Sequence, residues 1–149
     1  MQNADEQDEP YLRAFRGSFT STLRWHHLDE LWERVRERAA DGWYIYAVGE
    51  VPPSVPADAD GVKAFVIEVD RLLRDEHKEK YCGIVYADDL TVPSFIKIYD
   101  PNNLGVSCGY SDNPPLPGWV MSRIPPVDVA AVRVVPNNRR RWWNRLLSM

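Results

Sequence analysis

Cysteine and histidine are scarce in this sequence: Cys82, Cys108, His26, His27 and His77 are all there are in 149 residues. Neither C-x-x-C nor H-x-x-x-H spacing occurs, and a structural zinc site wants four ligands, normally in close pairs. Metal is therefore not expected, and no feature calls for another cofactor. His26 and His27 are neighbours that should diverge around a helix, and His77 falls near a helix C-terminus, where the dipole favours a cation. Long apolar runs are missing too. No stretch approaches the roughly 18 consecutive apolar residues that span a bilayer. The first ten residues have neither the basic start nor the apolar run of a secretory signal. The expected location is cytoplasmic, with both thiols reduced. A strong positive charge is also lacking: the net value of −4 argues against a general nucleic-acid binder.

What is present suits one core. Apolar residues make up 44% of the chain, and six Trp and seven Tyr offer large areas to bury in a core or a contact surface. Charge is unevenly spread. Residues 1–10 hold Asp5, Glu6, Asp8 and Glu9 with no cation, and residues 137–149 hold Arg139, Arg140, Arg141 and Arg145 with no carboxylate. The two ends cancel, so the net negative charge belongs to the body. Three parts are expected: a disordered acidic tail over 1–10, one α+β domain over 11–136, and a basic aromatic docking segment over 137–149.

Along the body, Tyr11 to Thr20 mixes aromatic and basic residues and reads as an extended entry segment. Trp25, Leu28, Leu31, Trp32, Val35 and Ala39 recur at three- and four-residue steps, which marks one face of a helix, and Gly42 stops it. Trp43 to Val48 is aromatic and β-branched, so it reads as a strand. Val51-Pro-Pro-Ser-Val-Pro56 fits neither a helix nor a central strand. Asp58 or Asp60 can cap a second helix with the stripe Val62, Phe65, Val66, Val69, Leu72 and Leu73, which the charged run Arg71 to Lys80 frays out. Tyr81 to Ala87 and Ser94 to Tyr99 read as strands, with Cys82 a small core residue in the first. Asp88-Asp89 forms a solvated hairpin tip between them. Trp119 to Ile124 adds a short strand, and Val127 to Val135 fits either helix or strand. One-sided helices need a sheet to cover. The fold class is therefore α+β: a two-layer sandwich with two amphipathic helices on one face of a mixed or antiparallel sheet of four to five strands.

Most motifs fail on context. Gly105-Val-Ser107-Cys108-Gly109 fits the G-x-S-x-G nucleophile elbow, which needs a helix after it and a histidine downstream. Tyr110-Ser-Asp112-Asn-Pro-Pro cannot open a helix, and all three histidines lie upstream. Asp100-Pro-Asn-Asn-Leu104-Gly105 begins like a calcium loop, yet Leu104 and Ser111 stand where oxygen ligands are required. Pro114-Pro-Leu-Pro117 matches P-x-x-P but reads as a stiff loop beside Trp119.

Two candidate regions remain. Cys108 lies in a glycine-flanked turn, and with Ser107, Tyr110 and Asp112 it makes a candidate ligand or thiol site. No neighbour there lowers the thiol's pKa. In the tail, Arg139, Arg140, Arg141, Trp142, Trp143, Arg145, Leu146 and Leu147 pair Trp142 with Leu146 and Trp143 with Leu147 at helical spacing. That segment suits a groove on a partner or a sister subunit better than a membrane surface, where four apolar residues anchor only weakly. The expected function is a non-enzymatic accessory or binding protein of bacterial type, using proline-rich loops and the tail for protein contacts. The alternative is a small enzyme or ligand-binding domain around Cys108.

Overall fold

A computed structural model of the protein describes residues 9–103 and 115–129. The acidic head up to Asp8, the segment holding Ser107, Cys108, Tyr110 and Asp112, and the whole 137–149 tail lie outside the described residues. The order is α1 (Pro10–Phe15), β1 (Thr20–Ser21), α2 (Trp25–Glu37), β2 (Tyr44–Ala47), α3 (Ala59–Glu76), β3 (Val85–Ala87), β4 (Phe95–Ile98), a 3-10 turn (Pro101–Asn103) and β5 (Trp119–Ser122).

The five strands form one antiparallel sheet in the order β1-β3-β4-β5-β2. The two shortest connections, β3 to β4 and β4 to β5, stay in the middle of the sheet. The crossover through α2 carries the chain from the β1 edge to the β2 edge, and the one through α3 returns it to β3, next to β1. That arrangement puts α2 and α3 side by side on one face, as their stripes require. Leu28, Leu31, Trp32 and Val35 of α2 and Val62, Val66, Val69 and Leu73 of α3 are buried against Val85, Ala87, Ile96, Ile98 and Met121 of the sheet. Each such side chain contributes roughly 1.5–3 kcal/mol of burial. The α3 stripe is narrower than its spacing suggests, since Phe65 and Leu72 are only half-buried. Asp58 is the residue that caps α3, accepting from the Gly61 amide at 2.7 Å. The helix then runs through the charged segment to Glu76 rather than fraying at Arg71.

The opposite face is covered as well, and this corrects the reading of Tyr11 to Thr20 as extended. Pro10 sits in the first turn of α1, where its missing N–H costs nothing, and the Glu9 carboxylate accepts from the Tyr11 amide at 3.0 Å. Tyr11, Leu12 and Phe15 then pack on Tyr46, Phe95, Val120 and Val129 in a second core cluster. Of the entry segment only its last residue, Thr20, is strand, forming β1 with Ser21.

Three local expectations also change. Cys82 is buried but precedes β3 instead of lying in it, with its sulfur 3.3 Å from Thr22 Oγ. The His26 and His27 rings lie 4.2 Å apart, so they do not diverge. Asp88 and Asp89 are more than a solvated tip. Asp88 accepts from the Ser94 and Phe95 amides, and Asp89 accepts from those of Thr91 and Val92, so the two carboxylates build the β3–β4 turn.

Candidate functional site

Strand alternation decides what the second face presents. Ser21, Tyr86, Lys97, Val120 and Tyr46 are register partners in one row across all five strands. In β4, Ile96 and Ile98 face the long helices, which turns Phe95 and Lys97 toward α1. A lysine thus occupies the central strand of the sheet. Its Nζ lies 4.2 Å from the ring centroid of Phe15 and 4.1 Å from that of Phe19. Both rings also pack on Phe95. Among the described residues no carboxylate pairs with this amine. Burial disfavours the charged form and pushes it down to about 8. Lys63, Lys78 and Lys80, by contrast, are exposed.

Polar groups line the rest of this face. The Ser21 Oγ is buried without a hydrogen-bond partner. Tyr86 stands across from Lys97 and meets the Tyr99 ring edge-on at 5.6 Å. Burial, and then Tyr86 itself, raises the Tyr99 phenol above its ordinary range. Toward β2, the Tyr46 hydroxyl donates to Asp128 Oδ1 at 3.3 Å and so ties the segment after β5 to the sheet. Tyr11 is fully buried, and its hydroxyl has no partner. The nearby Ser122 hydroxyl favours the ionised phenol, but it donates to Ile124 O at 2.7 Å. Burial dominates and raises the Tyr11 phenol strongly.

A second feature lies beyond the β2 edge. Gly49, at φ +103, makes the turn that lets the Glu50 amide donate back to Ala47 O at 3.0 Å. At the far end the Ala57 amide donates to Trp43 O at 2.8 Å. Between these anchors the chain bends at Ser54 and Val55, with Pro52, Pro53 and Pro56 stiffening both arms. Val51 is 87% exposed and Val55 69%.

None of the candidate residues named from sequence can be placed: Ser107, Cys108, Tyr110, Asp112 and the tail from Arg139 to Leu147 all fall outside the described residues. Lys97 and Ser21 were missed. The available signal was a lysine flanked by Ile96 and Ile98 in a strand, a position that a sheet covered on both faces makes unusual. Among the described residues no group of three or more His, Cys, Asp or Glu is placed to hold a metal, and no helix is long and apolar enough to cross a membrane. No protein-family model, no curated protein and no solved structure matches the chain.

Proposed function

We propose that the chain is an accessory or binding protein that works by protein contact, with the Val51–Pro56 loop as a contact surface in addition to the tail. The observation that carries this reading is the exposure of Val51 and Val55 on a loop fastened at both ends. Scattered exposed apolar side chains are ordinary. Two valines held in place by three prolines are different, because little conformational entropy remains to be lost when a partner covers them. The bend at Ser54 and Val55 favours a partner surface with an apolar hollow over a groove that reads a straight polyproline helix. A cytoplasmic location is part of the proposal, since the buried free thiol of Cys82 suits a reducing compartment.

The test is the Val51→Asp/Val55→Asp double variant of the full chain. Its folding stability should stay within about 0.5 kcal/mol of the parent, as for substitutions of exposed residues. Self-association in sedimentation, or co-purification with a partner from the native host, should be lost. A folded double variant that keeps every association of the parent overturns the proposal.

A further inference from the structure

We propose that the Lys97 amine is a carbonyl-condensing nucleophile that takes a small aldehyde or α-keto acid as an imine on the sheet face beside α1. The inference concerns different residues from the loop contact and does not rest on it.

The geometry carries it. Lys97 is on the central strand of a five-stranded sheet, so its backbone is fixed by pairing on both sides, to Tyr86 and to Val120. Phe15 and Phe19 hold Nζ between them at 4.2 and 4.1 Å. No carboxylate among the described residues retains the proton. Across the strand stands Tyr86, and the next residue in the same row is Ser21, whose buried Oγ has no partner. Two hydroxyl-bearing residues thus share the cross-strand row of Lys97.

The residue type fits the task. An arginine here would stay protonated and inert, whereas a lysine sheds its proton when desolvated. With the amine at about 8, roughly a tenth of the protein carries a neutral nitrogen at pH 7. In the condensation, the neutral nitrogen's lone pair attacks the carbonyl carbon. The C=O π pair moves to oxygen, which takes up the proton that nitrogen gives up. In the resulting carbinolamine the nitrogen lone pair forms the C=N bond as the C–O bond breaks, and the departing hydroxide takes nitrogen's remaining proton and leaves as water. One amine and one carbonyl compound give one imine and one water, with no change of oxidation state. The flat faces of Phe15 and Phe19 suit a planar carbonyl compound.

The test uses the full chain with glyoxylate and cyanoborohydride at pH 7, followed by peptide mass mapping. Hydride reduction converts each imine into a stable carboxymethyl-lysine. Lys97 should be labelled at least tenfold faster than Lys63, Lys78 and Lys80, and the preference should vanish in urea. A Phe19→Ala chain that still folds should lose most of the preference. Labelling of Lys97 at or below the rate of the three exposed lysines overturns the inference, as does a preference that persists in urea.

Discussion

The Trp32 indole N–H donates to Asp70 Oδ1 at 3.1 Å, and this bond fastens α2 to α3. The same carboxylate also accepts from Arg74 Nε at 3.0 Å, while the Arg74 guanidinium reaches Asp29 at 2.5 Å and lies over the Trp25 ring. The two carboxylates look alike on paper but differ in exposure: the Asp70 side chain is 29% exposed and that of Asp29 63%. Asp70→Ala leaves a buried indole N–H without an acceptor and should cost about 2 kcal/mol in denaturant unfolding. Asp29→Ala removes only a solvated ion pair and should cost about 0.5 kcal/mol or less. Equal costs would mean that the indole bond is not what holds the helices together.

The two buried tyrosines on the second face should respond in opposite directions. Tyr11→Phe deletes a hydroxyl that has no partner, so it should stabilise the fold by about 1 kcal/mol. Tyr46→Phe deletes the bond to Asp128 and should destabilise it by about 1–2 kcal/mol. Thermal or urea unfolding of the two variants checks both signs at once. A destabilised Tyr11→Phe would show that its hydroxyl is satisfied in solution.

Stability should rise and then fall with pH in the alkaline range. Between the native value of about 8 and the ordinary 10.5, the unfolded chain holds a proton on Lys97 that the native state has released, so stability rises with pH. Above about 10 the sign reverses, because Tyr11, Tyr46 and Tyr99 keep protons in the native state that unfolded tyrosines lose. Lys97→Met should abolish the rise and leave the fall. At pH 7 it should be neutral or stabilising by at most about 1 kcal/mol, since Lys97 keeps partial contact with solvent. Urea midpoints at pH 7, 9 and 11 for both chains decide the matter. A variant with the parent's rise would place its origin elsewhere.

The parts of this fold that announce themselves in sequence are those governed by local periodicity. The stripe from Leu28 to Val35 and the one from Val62 to Leu73 repeat often enough to fix both helix and buried face. The short α1 does not, because Tyr11, Leu12 and Phe15 are equally compatible with an extended segment, and only the apolar second face of the sheet selects the helix. The two residues of β1 are strand because they pair with Tyr86 and Ala87, far along the chain. The candidate site was illegible for the same reason. Ile96-Lys97-Ile98 shows a charge in a strand, but the rings that desolvate it come from Phe15 and Phe19 in the N-terminal segment.

The proposed contact surface is tested most directly by a photo-crosslinker placed at position 55 in the full chain and irradiated in the native host, with position 33 on the exposed side of α2 as the control. The account predicts a discrete protein adduct from position 55, with another protein or with a second copy of the chain. That adduct should be absent from position 33 and lost when Val51→Asp is added. Adducts of equal yield from both positions, or an adduct from 55 that survives Val51→Asp in a folded chain, would contradict it.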